Sequence, residues 1–264
     1  MIDLDDKTWS ILLERIREKR CTPFLGAGAC YGALPLGADL ARDLAEADAY
    51  PFSDRTDLLR VAQFVAVKYD QRRAKSQTLS RLKNAGPPDY MNPPDFARAD
   101  EPHGALASLG LPVYMTTNYD DFMVRALAAN EKEPRREVCR WHAGLKKIPS
   151  VFETEPGYRP TPANPLVFYL HGYDKEADSL VLTEDDYLKF LANIARDPNL
   201  LPPRIQEAIS ASTLLFIGYR LADWNFRVLF QMLRPDPEYM SIAVLLPPRP
   251  SSAIRLCSSM PPPA

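Results

Sequence analysis

Four short groups of small and polar residues follow apolar segments of this sequence, and their types suit the binding of an anionic ligand. The first is the glycine turn, residues 26–30, in which Gly26 and Gly28 come directly after a short apolar run. Glycine has no side chain, so the backbone N–H groups of such a turn can approach a phosphate closely. Two glycines without the third one of the dinucleotide fingerprint are also typical of an ordinary tight turn. We therefore expect either a pyrophosphate cradle at Gly26, Ala27 and Gly28 or a plain strand-to-helix turn.

The second and third groups carry side chains that can move protons or orient a ligand. Asn118 and Asp120 follow the apolar run 113–117, and His171 follows the run 166–170. The imidazole titrates near neutrality and can accept a proton from a sugar hydroxyl or from water. The amide of Asn118 both donates and accepts hydrogen bonds. Each residue also has a structural alternative, namely a turn residue for Asn118, a helix N-cap for Asp120 and a buried structural histidine for His171.

The fourth group follows the apolar run 213–217 and contains Gly218, Arg220 and Asp223. Short continuous apolar strands that alternate with helices predict an α/β, Rossmann-like fold with a mostly parallel sheet, covered by helices on both faces. Ligands of such sheets bind outside the carboxyl ends of the strands, where all four groups would lie. The predicted strands are 22–25, 113–117, 166–170, 213–217 and 242–246, with 180–182 as a short further strand.

We predict one Rossmann-like domain over residues 1–246, with a small helical module inserted at about 40–110. Residues 247–264 are rich in proline and are expected to be disordered or a linker. The charged segment 131–150 is interpreted as a solvated excursion. His103 and His142 have no partner pattern and receive no role.

Composition excludes several classes of protein. The formal net charge of −2 over 264 residues argues against direct nucleic-acid binding. The four cysteines are far apart, which disfavours a zinc ribbon or a disulfide framework and fits a reducing compartment. With no apolar run of about 18 residues and no signal-type start, we expect a soluble, cytoplasmic protein without a membrane segment.

The four groups together resemble the sirtuin superfamily. The matching pieces come in the family's order and cover roughly residues 21–225, most of the chain; they are Gly26-Ala-Gly-Ala-Cys30, Thr117-Asn-Tyr-Asp120, His171-Gly172 and Gly218-Tyr-Arg-Leu-Ala-Asp223. The chain is most similar to bacterial sirtuin-like NAD-hydrolase domains of anti-phage defence systems. Sirtuin deacylases usually carry a four-cysteine zinc module between the histidine-glycine piece and the last piece. No cysteine lies between His171 and Gly218, so that module is absent from this sequence and protein deacylation is in doubt.

The resemblance implies a role for each matching residue. Asn118 and His171 would be catalytic, Asp120 would bind the nicotinamide carboxamide, and Cys30 would replace a serine near the phosphates. The remaining implied NAD-binding residues are Gly26, Ala27, Gly28, Gly218, Tyr219 and Arg220. NAD would be the substrate, and no metal is expected.

Three functions remain open from the sequence. The first is hydrolysis of NAD to nicotinamide and ADP-ribose, which implies gating through a homo-oligomer or a separate regulatory or sensor protein, often an ATPase. The second is NAD-dependent protein deacylation, in which nicotinamide release would depend on an acylated peptide. The third is a non-catalytic module that senses NAD or ADP-ribose and would bind NAD without consuming it.

Overall fold

The computed structural model describes residues 6–84, 93–219, 228, 241–245 and 255–258. Within these residues one sheet has the strand order β3-β4-β2-β1-β5-β6-β7. Its strands are β1 (Cys21–Leu25), β2 (Val113–Thr116), β3 (Arg135–Val138), β4 (Leu166–Tyr169), β5 (Thr213–Ile217), β6 (Ser241–Leu245) and β7 (Arg255–Ser258). Every neighbouring pair is parallel except β6 and β7. The prediction of a mostly parallel α/β sheet is confirmed.

Helices cover both faces of the sheet. They are α1 (Asp6–Arg17), α2 (Gly37–Ala47), α3 (Leu58–Lys68), α4 (Gln71–Asn84), α5 (Pro102–Ser108), α6 (Phe122–Ala129), α7 (Val151–Thr154), α8 (Glu184–Arg196) and α9 (Pro203–Ser210). Successive strand residues point to opposite faces, so Phe24 packs with α8 and α9 while its neighbour Leu25 packs with α1, α5 and α6. The fully buried central strands therefore read as continuous apolar runs.

The direction in which strands are added to the sheet reverses at β1. The chain places β2, β4 and β3 on one side of β1 and then crosses to the other side to form β5. Such a reversal is the topological switch point at which ligands bind in open α/β sheets. The glycine turn, residues 26–30, directly follows β1 and therefore lies at this point.

Helices α2, α3 and α4 form the part of the chain predicted as an inserted module. They pack on one another and on α8. Their apolar residues share a core with Phe122 and Leu182, which follow strands of the main sheet. Lys75 of α4 also pairs with Asp186 at the start of α8, with Nζ 3.3 Å from Oδ2. The module is thus joined to the main sheet through a common core, and its bounds as a separate unit stay a prediction.

The structure differs from the sequence prediction in three segments. Residues 135–138, assigned to a solvated excursion, form the edge strand β3, and the nearby Trp141 is only 2% exposed. Residues 180–182 are buried as their apolar character requires, but they form no strand. Part of the tail at 247–264 forms β7, which pairs antiparallel with β6. Neither β3 nor β7 is a continuous apolar run, because both strands contain charged residues. The apolar pattern of the sequence therefore did not indicate them.

Some predictions fall outside the described residues. Arg220 and Asp223 are among them, as is most of the helix expected to follow β5. No helix of the described residues combines the length and the apolar character that a membrane crossing requires.

Candidate functional site

The glycine turn is held against the end of β5 by its own backbone. Gly26 N–H donates to Ile217 O at 2.8 Å, and Gly28 N–H donates to Gly218 O at 2.9 Å. Ala27 begins a short 3-10 turn, Ala27–Cys30, and the first N–H of a helical turn has no partner inside it. Ala27 is an exposed residue, and among the three backbone N–H groups of the predicted cradle its N–H alone has no partner within the described residues.

Close contact between two backbones explains the glycines of this turn. A Cβ atom on Gly28 would lie 2.8 Å from Gly218 Cα, and one on Gly218 would lie 2.2 Å from Ala29 N. Gly218 also has a φ of +77°, a conformation that favours glycine. The glycines are thus required for packing the turn on β5, whatever ligand the turn binds.

Asn118 joins the loop after β2 to the glycine turn. Its Nδ2 donates to Gly26 O at 3.1 Å and to Cys30 Sγ at 3.3 Å. Since a carbonyl oxygen only accepts, the contact with Gly26 fixes which side of the amide is nitrogen. None of the hydrogen bonds of the described residues uses Oδ1, and the residue is half-buried. Asn118 is therefore oriented by the protein and offers one acceptor oxygen.

The side chain of Cys30, in the glycine turn, contacts the side chain of Asp120, in the loop after β2. The Cys30 thiol donates to Asp120 Oδ2 at 3.2 Å, and the other oxygen of Asp120 accepts from Phe122 N–H at 3.0 Å. Asp121 is the N-cap residue of α6, so Asp120 is not the helix cap that the sequence offered as an alternative. Burial, followed by the nearby Asp120 carboxylate, raises the pKa of the Cys30 thiol well above its usual value. The Cys30 thiol is therefore neutral at pH 7. A neutral thiol can form hydrogen bonds but is a poor nucleophile.

His171 lies at the end of β4 with its ring against α8. The ring centroid is 5.1 Å from that of Phe190 and 6.0 Å from that of Tyr187, and both contacts are edge-on. Nε2 is shielded from solvent and has no hydrogen-bond partner among the described residues. Burial lowers the pKa of His171 to about 3, so the ring is neutral at pH 7. A buried nitrogen without a partner costs the fold free energy unless a water or another polar group satisfies it.

The register of the sheet brings Asn118 and His171 to the same edge. Thr116 of β2 pairs with Tyr169 of β4. Asn118 lies two positions after Thr116, and His171 lies two positions after Tyr169. Adjacent strands lie about 4.8 Å apart. No hydrogen bond joins the two side chains to each other in the described structure, so any joint action requires a bound molecule between them.

Tyr219 lies under the glycine turn. Its hydroxyl is 2.7 Å from Thr117 Oγ1 and donates to Leu25 O at 3.0 Å, which ties β5 to the ends of β1 and β2. A Cβ atom on Gly26 would lie 3.0 Å from the Tyr219 ring. The ring thus supports the turn from the protein side.

Two residues that the sequence analysis left without a role, Glu101 and His103, lie beside Cys30. His103 Nδ1 is 2.7 Å from Glu101 Oε1, and its Nε2 is 3.9 Å from Cys30 Sγ. Although burial acts to raise the pKa of Glu101, its hydrogen bonds with His103 and Gly104 N–H lower the pKa below its usual value. A Glu two residues before a His at a helix start is too common a pattern to reveal such a cluster from sequence.

The structure also contains a cavity of about 350 Å³ in another part of the molecule. Its lining includes Arg140, Arg159 and Arg204, and none of the predicted site residues. Two of these arginines are already paired, Arg140 with Glu153 and Arg204 with Glu207. The cavity therefore has no part in the arrangement around the glycine turn.

Comparison with known proteins adds a family and several relatives. Residues 112–257, more than half of the chain, match the SIR2-like domain. The chain is 23% identical over 223 residues to "NAD(+) hydrolase ThsA" of Cytobacillus dafuensis, covering 84% of this chain and 40% of that protein. It is 27% identical over 147 residues to "Defense-associated sirtuin 2" of Bacillus subtilis, covering 53% of this chain and 13% of that protein. A ThsA of Enterococcus faecium is 26% identical over 134 residues, which is 51% of this chain and 25% of that relative.

Proposed function

Because this chain belongs to the SIR2-like domain family, we propose that it hydrolyses NAD at the nicotinamide–ribose bond and releases nicotinamide and ADP-ribose. Relatives named as NAD(+) hydrolases support the proposal. The chain spans well under half the length of these relatives, so the activity is proposed for the chain itself and is open to direct test.

The observation that carries the proposal is the unpartnered Nε2 of His171 at the sheet edge that also holds Asn118. Nicotinamide is a cationic pyridinium in NAD and leaves as a neutral molecule, so its departure needs little acid catalysis. The reaction instead needs a positioned water and stabilisation of the positive charge that develops on the ribose. Asn118 Oδ1 is an acceptor, and His171 Nε2 is an acceptor when the ring proton is on Nδ1; the two suit a water or a ribose hydroxyl.

The pKa of His171 defines its part in this mechanism. A neutral ring with a pKa of about 3 accepts a hydrogen bond well but retains a proton poorly. We assign it the orientation of a water or ribose hydroxyl in the bound complex. Ala27 N–H is the backbone donor that we assign to the pyrophosphate, with Cys30, Asp120, Gly218, Tyr219 and Arg220 as further predicted members of the NAD site.

The same proposal includes a role in anti-phage defence. The names of the relatives support it, since one is called a defence-associated sirtuin. A hydrolase active in the cytoplasm would deplete the NAD of its own cell, so its activity requires gating. We propose that a homo-oligomer or a separate sensor protein provides that gating.

The test is to incubate the purified chain with NAD alone and to quantify nicotinamide across a range of protein concentrations. We expect release without any peptide, lost in Asn118→Ala and in His171→Ala and retained in Asn199→Ala, a surface control. Release that requires an acylated peptide would identify a deacylase. Tight NAD binding without consumption at every protein concentration would identify a sensing module.

A further inference from the structure

Three side chains from distant parts of the sequence meet next to the glycine turn. Cys30 comes from the turn, His103 from the start of α5, and Asp120 from the loop after β2. One ligand atom of each lies within 4.8 Å of the other two. All three residues are buried, with exposed fractions of 4%, 1% and 7%. We propose that Cys30, His103 and Asp120 bind a single Zn²⁺ ion.

The distances between the atoms fit a tetrahedral zinc ion. A Zn–S bond of about 2.3 Å and Zn–N or Zn–O bonds of about 2.0 Å place the sulfur about 3.5 Å from either other ligand atom. Cys30 Sγ lies 3.2 Å from Asp120 Oδ2 and 3.9 Å from His103 Nε2, one on each side of that value. Both sulfur distances thus differ by no more than about 0.4 Å from the separation around a bound ion.

The orientation of His103 is already the one that a zinc ligand needs. Its Nδ1 is held by the Glu101 carboxylate at 2.7 Å, which directs Nε2 toward Cys30. A histidine held by a carboxylate through its other nitrogen is the usual arrangement around zinc. The Glu101 carboxylate is itself fixed by Gly104 N–H at the start of α5.

The polar atoms of the cluster gain partners when the ion binds. At 3.9 Å from a sulfur atom, His103 Nε2 has only a long and weak contact in a buried position. Asp120 Oδ2 has only the weak thiol donor. Binding replaces the thiol proton of Cys30, which leaves to solvent, with a Zn–S bond and involves no oxidant or reductant.

The donor set selects zinc among the common cations. A thiolate and an imidazole favour a borderline-soft ion such as Zn²⁺, whereas Mg²⁺ and Ca²⁺ require oxygen ligands. Three protein ligands leave a fourth position for water or another small ligand. This site is separate from the four-cysteine module of sirtuin deacylases. It shares Cys30 and Asp120 with the proposed NAD site, and its readout is metal binding by the chain alone, so it can fail or succeed whether or not NAD is hydrolysed.

The experiment uses the untagged chain, reduced and stripped of metal, in equilibrium dialysis against Zn²⁺ with bound metal measured by elemental mass spectrometry. We expect one Zn²⁺ per chain, with affinity at least about 10-fold lower in Cys30→Ser, His103→Gln and Asp120→Asn. Cys139→Ser and His142→Gln are matched controls outside the cluster and should bind as the wild type does. No stoichiometric binding by the wild type, or unchanged affinity in the three variants, would overturn the proposal.

Replacement of zinc by Co²⁺ keeps the proposal testable if a variant fails to fold. The wild type and Cys139→Ser should both show the near-ultraviolet absorption of a thiolate bound to cobalt. A cobalt complex without that absorption would show that Cys30 is not a ligand and would contradict the proposed site.

Discussion

Asn118 Nδ2 lies 3.1 Å from Gly26 O and so fixes the loop after β2 to the turn after β1. The contact uses the amide as a donor on the protein side and leaves Oδ1 for a ligand. The donor side of this residue is structural, and the acceptor side is the part that we assign to chemistry.

Asn118→Asp should abolish nicotinamide release and also reduce stability. An aspartate presents two acceptor oxygens, one of which would face the carbonyl oxygen of Gly26 without a proton between them. We expect a loss of rate of at least about 100-fold and of about 1–3 kcal/mol in the free energy of unfolding. Nicotinamide assays and urea denaturation measure the two effects. Asn199→Asp, at the surface, is the control, and full activity of Asn118→Asp would contradict the assigned geometry.

Gly218→Ala should be strongly destabilising. Its φ of +77° strains any other residue, and the new Cβ would lie 2.2 Å from Ala29 N. We expect a loss of more than about 2 kcal/mol, since strain and a backbone clash add. Gly32 has a φ of +87° but open space around it, so Gly32→Ala should lose only about 1 kcal/mol.

Gly157→Ala completes this comparison because nothing lies within 4 Å of a Cβ there. Its midpoint of thermal unfolding should stay close to that of the wild type. Equal effects at positions 157 and 218 would show that the turn and β5 are less closely packed than described.

His171 should make the stability of the protein depend on pH. Its pKa is about 3 in the folded chain against an ordinary value of 6.5, so the unfolded chain binds more protons between these values. The stabilisation from the neutral ring is complete above pH 6.5 and declines as the pH falls toward 3. When the pH is lowered from 7 to 5, the free energy of unfolding should fall in both proteins. The fall should be about 1–2 kcal/mol smaller for His171→Gln than for the wild type.

Urea denaturation at the two pH values measures this difference. His142→Gln is the matched control and should follow the wild type. Parallel pH dependence in the wild type and His171→Gln would mean that the His171 ring is solvated in the folded protein.

Lys75→Met should weaken the attachment of α4 to α8. The Lys75 and Asp186 side chains are only 9% and 7% exposed, so the substitution leaves a buried carboxylate without its cation. Breaking such a pair costs about 3 kcal/mol. Arg204→Met removes an exposed pair with Glu207 and should cost less than about 1 kcal/mol. Thermal unfolding compares the two variants, and similar losses would count against a buried pair.

The sequence predicts the centre of this fold better than its edges. Strands β1, β2, β4 and β5 are buried on both faces, so nearly every residue is apolar and the strand is visible as a run. The edge strand β3 has Arg135 and Arg136 exposed to solvent in part, and its Glu137 is buried with bonds from Ser150 Oγ at 3.0 Å and Val151 N–H at 2.8 Å. The sequence alone does not distinguish a buried glutamate, whose oxygens accept hydrogen bonds from the protein, from a glutamate exposed to solvent.

The candidate site was predictable only where it follows strand ends. The grouping of Gly28, Asn118 and Gly218 follows from parallel strands that end at one edge. The contact of His103 with Cys30 depends on how α5 packs across 73 positions of sequence, and neither residue type nor spacing indicates it. The catalytic roles of Asn118 and His171 stay predictions until the variants are assayed.

The central position of β1 has a consequence for how the chain acquires its structure. Thr22 Oγ1 contacts Ser212 Oγ at 2.7 Å although 190 positions separate them, so one neighbour of the first strand is supplied late in the chain. Proteins dominated by such distant pairings fold slowly because long loops must close before the contacts form. During synthesis on the ribosome, the edge of β1 that pairs with β5 therefore stays unpaired until β5 has emerged.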